Sequence, residues 1–245
     1  MGIFKRIFGF IWAIWGAMWF MVVITIFTPI YAVIFALFGK KYSMNCVWIN
    51  THYLSPFLMA MCLIRRKEFG KEKIRTDIPY VFVSNHLSQV DIITSGSSVP
   101  QPVRFLAKSE IKKIPLFGSM TKMLAIMVDR KSKESREKSM IYMMEELRRG
   151  NSIFIYPEGT RNRTEQPLKE FKDGAFKLAI MAQAPVAVQT LIGTKKVNNP
   201  VGIQLYPGTV EVYWGDPIET TGMTDDDLPR LKELVRTEML KHLLA

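Results

Sequence analysis

The hydrophobic and polar positions divide the chain into two parts with different patterns. Residues 7–39 contain no charged side chain, and this run is longer than the ~20 residues that cross the hydrocarbon core of a bilayer. Residues 42–64 mix apolar and polar side chains, which is typical of helices lying in a membrane interface. Three basic residues at 65–67 follow. The pattern predicts membrane-associated helices over residues 1–66.

Basic residues flank the apolar run on both sides, with Lys5 and Arg6 before it and Lys40 and Lys41 after it. Positively charged flanks favour the cytosolic side of a membrane. We therefore expect a helical hairpin embedded from the cytosolic face, with a simple transmembrane span as the alternative. Pro29 either kinks the helix or begins a second one.

From residue 67 onward, short apolar segments alternate with amphipathic ones. Strands are expected at residues 73–76, 80–83, 103–107, 125–128, 152–156, 185–191, 202–205 and 209–214. Helices are expected at 133–149 and 172–183, and after Thr224, which can cap a helix with Leu231, Val235 and Met239 in its buried stripe. This alternation predicts an α/β domain over residues 67–245 with a mostly parallel sheet flanked by helices.

Composition narrows the range of partners. The net charge is +11 and 48% of residues are hydrophobic. A basic surface suits nucleic acid, anionic lipid or phosphorylated substrates. The apolar N-terminus favours lipid, and no zinc-finger spacing, RNP-like strand or basic recognition helix supports nucleic acid. Cys46 and Cys62 lie in apolar context without metal-ligand spacing, so we expect them to be reduced packing residues.

The stretch VFVSNHLSQVD at 81–91 carries the first candidate chemistry. His86 is a natural proton acceptor near neutral pH, and Asp91 can orient its ring. Residues five apart in one helix diverge by about 140°. The pair therefore meets only if His86 lies in a turn and Asp91 in the first turn of a following helix. An unrelated surface histidine is the alternative.

Three more polar positions follow candidate strands. They are Lys108, Arg130 and the loop of Glu158, Gly159, Thr160 and Arg161. Ligands of open α/β sheets bind at the carboxyl ends of the strands. A glycine allows a positive φ or a close approach of a ligand, and an arginine fork suits phosphate. Each position alone is also typical of a charged surface, so a single shared site is a hypothesis.

In this order and at these spacings, NHLSQVD, KSEIKKIPLFG, VDR and YPEGTR resemble the motifs of the glycerolipid acyltransferase family. The bacterial 1-acyl-sn-glycerol-3-phosphate acyltransferases are the branch that looks most similar. The resemblance implies the fold of that family and a membrane-bound enzyme at the cytoplasmic face of the cell inner membrane. Such an enzyme moves a fatty acyl group from acyl-CoA or acyl carrier protein to the sn-2 hydroxyl of lysophosphatidic acid. The product is phosphatidic acid, and the reaction needs no metal or cofactor.

The resemblance also implies roles for single residues. His86 would be the general base and Asp91 its partner. The glycerol phosphate would be bound by Arg130, Glu158, Gly159, Thr160 and Arg161, with Lys108 as a further phosphate contact. Backbone N–H groups near the histidine turn are expected to stabilise the tetrahedral oxyanion.

Two departures from the family pattern keep alternatives open. The segment APVAV at 184–188 keeps the first proline of the fourth motif and lacks the second, and Tyr156 stands where phenylalanine is commoner. The first departure keeps open the same chemistry on another lysolipid acceptor. A non-enzymatic membrane protein that binds acidic lipids explains the charge and the apolar N-terminus. It does not explain why His86 and Asp91 occur together with YPEGTR. A metal-dependent hydrolase has less support, because His52 and His242 lack ligand spacing with His86.

Overall fold

The N-terminal part of the chain forms a helical hairpin. The computed structural model describes residues 2–199 and 201–244. The apolar run is one helix, α1 (Ile3–Phe38), with Pro29 inside it. A 3-10 turn then reverses the chain into a second arm made of α2 (Ser43–Ile49), a π-helical turn (Asn50–Leu54) and α3 (Ser55–Met61). The predicted hairpin is confirmed, and Pro29 does not begin a second helix.

The two arms of the hairpin pack along one stripe of α1. The buried positions recur at helical spacing, which places them on one face; they are Gly9, Gly16, Val23, Ile24, Thr28 and Tyr31. The indole N–H groups of Trp12 and Trp15 donate to the carbonyl oxygens of Cys62 and Met61, at 3.0 and 2.8 Å. Among the described residues, α1 is the one helix that is long and apolar enough to cross a membrane, and only 22% of its most apolar window is buried. This exposed apolar face indicates membrane association.

The rest of the chain forms an α/β domain around a seven-stranded sheet. The strands are β1 (Ile64–Phe69), β2 (Val81–Ser84), β3 (Val103–Lys108), β4 (Ile126–Val128), β5 (Ser152–Ile155), β6 (Val186–Ile192) and β7 (Gly208–Trp214). Their order is β1-β7-β6-β2-β5-β3-β4. Every neighbouring pair is parallel except β6 and β7, so the mostly parallel sheet is confirmed.

Apolar side chains cover both faces of the sheet. The domain's helices are α4 (Val90–Ser98), α5 (Phe117–Leu124), α6 (Lys133–Arg148), α7 (Gly174–Ala182), α8 (Thr194–Val197) and α9 (Leu228–Leu243). Helices α6, α7 and α9 pack on the face of β2 that carries Val81 and Val83. Phe82 lies in a second core on the other face, beside Phe154 and Trp214. The central strands are therefore buried on both sides, as parallel strands usually are.

Two of the predicted strands are wrong. Residues 73–76 follow a 3-10 turn (Lys71–Lys73) and contain no strand, although Ile74 is buried. In 202–205, only Leu205 pairs, through an isolated bridge to Asn198. Residues 73–76 thus contribute one buried apolar residue without a ladder of backbone hydrogen bonds, whereas in 202–205 Leu205 is only partly buried and Ile203 is 62% exposed.

One strand was missed, and the last α-helix begins a few residues after its predicted cap. Strand β1 lies at the sheet edge, with Ile64 buried and charged side chains at most of its other positions. Because of these charged residues, the sequence pattern did not predict a strand here. It crosses the proposed boundary between residues 66 and 67, and the division into two domains stays a prediction. Thr224 caps a 3-10 turn (Asp225–Asp227) that leads into α9.

A buried ion pair joins the hairpin to the domain. Arg104 on β3 donates to Glu146 on α6 at 2.8 Å and to the Ser43 hydroxyl of α2 at 2.5 Å. Glu146 also accepts hydrogen bonds from Arg149 and Asn151. Arg104 and Glu146 are both nearly inaccessible to solvent, and Glu146 is the carboxylate that pairs with the buried Arg104 guanidinium.

We expect Glu146→Ala to lower the free energy of unfolding by about 3–5 kcal/mol, because it leaves the Arg104 guanidinium buried and unpaired. Thermal unfolding followed by circular dichroism measures the change. Glu145→Ala is the matched control, because Glu145 is 47% exposed whereas Glu146 is 3% exposed. That control should change stability by no more than about 0.5 kcal/mol. Equal effects of the two substitutions would contradict the structural role of the buried pair.

Candidate active site

The histidine turn begins where β2 ends, and Asn85 fixes that point. The Asn85 side chain donates to the carbonyl oxygen of Leu191 at 2.9 Å and accepts from the Leu191 N–H at 2.7 Å. This buried amide therefore continues the pairing of β2 with β6 by one residue. Sequence reasoning assigned Asn85 no role. The available signal was an amide residue placed directly after an apolar strand.

His86 and Asp91 form a hydrogen-bonded pair. The Nδ1 of His86 lies 2.9 Å from Oδ2 of Asp91. His86 lies in the turn and Asp91 in the first turn of α4, which confirms the arrangement that their spacing requires. The same Oδ2 atom also accepts the N–H groups of Leu87 and Ser88, at 2.5 and 2.7 Å. One carboxylate oxygen thus organises both the turn and the histidine ring.

The hydrogen bond to Asp91 determines which ring nitrogen of His86 can accept a proton. An ionised carboxylate only accepts hydrogen bonds, so Nδ1 carries the proton and Nε2 keeps its lone pair. Asp91 is fully buried, whereas the His86 side chain is 15% exposed. The imidazole is therefore partly accessible from outside, whereas the carboxylate that holds it is not.

Tyr156 holds the other side of the imidazole. Its ring stacks on His86 with centroids 4.1 Å apart and planes 18° apart. Burial and the neighbouring Asp91 carboxylate raise the pKa of the Tyr156 phenol above its usual value. The phenol is therefore neutral at physiological pH and adds no charge beside the histidine. The sequence marked Tyr156 only as a departure from the family pattern.

Glu158 connects the loop after β5 to the histidine turn. Its Oε1 accepts the N–H of His86 at 2.7 Å, and its Oε2 accepts the N–H of Lys169 at 2.9 Å. A further hydrogen bond runs from the Asn162 N–H to the His86 carbonyl oxygen at 2.6 Å. Burial raises the pKa of Glu158, while its two N–H donors act in the opposite direction. Glu158 therefore positions the turn, and its predicted contact with substrate stays a prediction.

The backbone donors of the histidine turn are already engaged. The N–H of His86 is bound by Glu158, and those of Leu87 and Ser88 are bound by Asp91. A tetrahedral oxyanion requires donors that are free to turn toward it. The N–H groups of His86, Leu87 and Ser88 are therefore not free to bind an oxyanion, and the expectation that backbone donors near the histidine turn stabilise it stays a prediction.

The other three residues of the loop, Gly159, Thr160 and Arg161, are less buried than Glu158. Gly159 has φ +73°, a backbone conformation that residues other than glycine adopt only at a cost in free energy. The Thr160 hydroxyl accepts from Lys169 Nζ at 2.8 Å. Arg161 makes no ion pair with any residue that the structure describes. Its guanidinium therefore remains available to an anionic ligand beside the histidine.

Lys108 and Arg130 lie on the same edge of the sheet but farther from His86. Lys108 ends β3 and pairs with Glu110 at 3.0 Å, and Arg130 follows β4. The order β2-β5-β3-β4 and a strand spacing of about 4.8 Å put β4 about 14 Å from β2. The structure thus brings His86 together with Asp91 and the loop of residues 158–161. The roles of Lys108 and Arg130 in binding substrate stay predictions.

A cavity of about 1150 Å³ lies away from this pair. It is lined by α1, α5, β4 and α6, and neither His86 nor the loop of residues 158–161 reaches it. Its volume alone therefore does not mark it as the site of chemistry. The candidate active site is the His86–Asp91 pair at the carboxyl edge of the sheet.

The fold and this pair define an α/β protein with a hydrogen-bonded histidine–aspartate pair at the carboxyl edge of a mostly parallel sheet. A family model described as Acyltransferase matches residues 65–191, which is just over half of the 245 residues. The chain therefore belongs to this acyltransferase family.

Individual relatives agree with that assignment. The chain is 26% identical to a 1-acyl-sn-glycerol-3-phosphate acyltransferase of Saccharomyces cerevisiae, over 83% of this chain and 71% of the relative. It is 32% identical to the human 1-acyl-sn-glycerol-3-phosphate acyltransferase alpha, over 72% of this chain and 63% of the relative. The chain spans between 40% and 71% of the lengths of five curated relatives that it matches.

One solved structure has the same fold. It is the crystal structure of the 1-acyl-sn-glycerophosphate (LPA) acyltransferase PlsC from Thermotoga maritima. The TM-score is 0.81 at 20% identity, and the match covers 98% of this chain and 96% of that chain. The similarity extends over the N-terminal hairpin as well as the α/β domain.

We expect Glu158→Gln to lower the free energy of unfolding by about 1–3 kcal/mol, because an amide NH₂ would then face a backbone N–H that has lost its acceptor. Thermal unfolding measures the change. Glu170→Gln is the control, since Glu170 is an exposed residue of the same segment. Unchanged stability of the Glu158 variant would contradict its role in bracing the histidine turn.

Proposed function

We propose that the chain is a membrane-bound O-acyltransferase that transfers a fatty acyl group to the sn-2 hydroxyl of 1-acyl-sn-glycerol-3-phosphate. The observation that carries the proposal is the His86–Asp91 hydrogen bond, which occupies Nδ1 and leaves Nε2 as the acceptor nitrogen, next to a loop whose Arg161 forms no ion pair with the described residues. The names of the relatives in yeast and human support the same acceptor.

The chemistry follows from the geometry of the pair. The acceptor hydroxyl gives its proton to Nε2 as its oxygen attacks the thioester carbonyl carbon. The carbon–sulfur bond then breaks, and the leaving thiolate takes up the proton. Asp91 stabilises the imidazolium that forms in between. Because the thioester is already activated, the step needs neither a metal ion nor a protein nucleophile.

The loop after β5 supplies the contacts for the acceptor phosphate. Arg161 offers a planar fork with two parallel donors. Gly159 turns the backbone with a positive φ of 73°, which lets a ligand approach the loop closely. Lys108 and Arg130 add positive charge farther along the same edge. Either acyl-CoA or acyl carrier protein fits as the thioester donor.

The hairpin presents this site to lipid. Its exposed apolar face lets the protein take an acceptor already dissolved in the bilayer. Basic flanks on both sides of α1 favour the cytoplasmic face, in the inner membrane if the cell is bacterial. A different lysolipid acceptor is the second candidate, supported by the missing second proline at residues 184–188.

We expect His86→Ala to lower the rate of acyl transfer by about 10²–10⁴-fold, the usual contribution of a general base. The assay measures labelled phosphatidic acid formed from a labelled acyl thioester and lysophosphatidic acid. His242→Ala is the matched control, because His242 stacks on Tyr213 at the far end of the chain and should leave the rate unchanged. Full activity of the His86 variant would end the proposal of a histidine base.

We expect Arg161→Ala to lower kcat/KM for the acceptor by about tenfold to a hundredfold, mainly through KM, because a charge-assisted hydrogen bond contributes ~1.5–3 kcal/mol. Arg163→Ala, an exposed arginine of the same loop, is the control. An acceptor panel without a terminal phosphate tests the specificity. An effect confined to the KM of the thioester donor would argue against phosphate binding by Arg161.

A further inference from the structure

We propose that the loop of residues 201–204 is a second membrane-contact element, which lies with the N-terminal half of α1 on a lipid surface that contains anionic headgroups. We refer to it below as the lipid-contact loop. The inference rests on the membrane association stated above. It adds a surface of the α/β domain itself, at a loop that begins 140 residues after the hairpin ends at Met61.

The lipid-contact loop exposes apolar side chains that no described residue covers. Val201 is 78% exposed and Ile203 is 62% exposed. A hydrogen bond from the Val201 N–H to the Asn199 side chain at 2.9 Å shapes the turn that projects them. Exposed residues of this kind mark a contact surface when they continue a larger apolar patch.

That larger patch is the exposed face of α1. The segment after the loop packs directly on this helix, with the Leu205 N–H donating to the Gly9 carbonyl oxygen at 3.0 Å. The Tyr206 ring stacks on Phe8 at 6.5 Å between centroids. Gln204 lines a notch together with Ile3, Ile7 and Phe10 of α1. The lipid-contact loop and the start of α1 therefore form one continuous surface.

The charges around this surface fit anionic headgroups. Lys5 lies over the Tyr206 ring, and Arg6 lines the same notch. Lys195 and Lys196 are exposed on α8, shortly before the loop. Neither residues 2–38 nor residues 195–206 contain an aspartate or a glutamate. An apolar patch flanked by basic residues binds anionic membranes through both contributions.

The lipid-contact loop is also joined to the histidine turn. Asn198 donates to the Gln204 carbonyl oxygen at 2.9 Å and accepts from the Ser88 hydroxyl at 2.9 Å. Ser88 in turn donates its N–H to Asp91. A bilayer that holds the loop therefore holds the catalytic turn at a fixed depth, next to the lipid acceptor.

Single cysteines that carry an environment-sensitive fluorophore test the proposal in the full-length protein reconstituted in vesicles of mixed anionic and zwitterionic lipid. Val201→Cys reports on the loop. Ile11→Cys, 59% exposed on α1, reports on the hairpin, and Ile141→Cys, 60% exposed on α6, is the control for the aqueous side. Cys46 and Cys62 are both buried, and the unsubstituted chain gives the labelling background.

We expect nitroxide-labelled lipid to quench the probes at residues 201 and 11 to a similar extent, and aqueous iodide to quench the probe at residue 141. If iodide quenches the probe at 201 while lipid quenches the probe at 11, the loop proposal is overturned and membrane association stands. If iodide quenches all three probes, both are overturned. Acyl transfer by the same labelled proteins is assayed separately, so a failure of the enzymatic proposal remains distinguishable.

Discussion

The active site depends on one buried carboxylate. Oδ2 of Asp91 accepts the ring N–H of His86 and the backbone N–H groups of Leu87 and Ser88. A buried charge is costly unless hydrogen bonds compensate it, so the turn can adopt this conformation only with all three donors directed at one atom. The same bonds set the tautomer of His86. The same three hydrogen bonds therefore fold the turn and orient the His86 ring, so neither can change without the other.

A second carboxylate extends this arrangement to the neighbouring strand. Glu158 joins the His86 N–H to the Lys169 N–H, so the loop after β5 cannot move without the histidine turn. Arg161 lies three residues along that loop and keeps its guanidinium free of ion pairs with the described residues. The acidic and the basic residue of this loop differ in their accessibility. The acid of the EGTR sequence is buried and positions the base, while the arginine stays accessible and suits an anion.

The hairpin is part of the folded domain as well as a membrane element. Arg104 connects β3 to α6 and to Ser43 of the second arm, and Leu205 connects the far end of the domain to Gly9 of α1. The hairpin is therefore held to the α/β domain at two points, near the start of α1 and at the start of α2. The other face of α1 remains apolar and exposed, which leaves lipid as the natural cover for it.

The sequence by itself determined the elements whose signal is local. Length and apolar content defined α1. The alternation of short apolar segments with amphipathic segments defined most of the parallel sheet. The spacing of His86 and Asp91 required a turn followed by a helix. The sequence pattern did not predict strand β1, because an edge strand carries charged residues on its open side. Residues 202–205 were wrongly predicted as a strand, because their apolar side chains lie at a surface outside the sheet. Only the tertiary structure decided the partners of Asn85, Tyr156 and Glu158, since each contact joins segments far apart in the chain. It also decided that Leu87 and Ser88 serve Asp91, because a backbone N–H has no signature in sequence and its partner depends on how the chain folds around it.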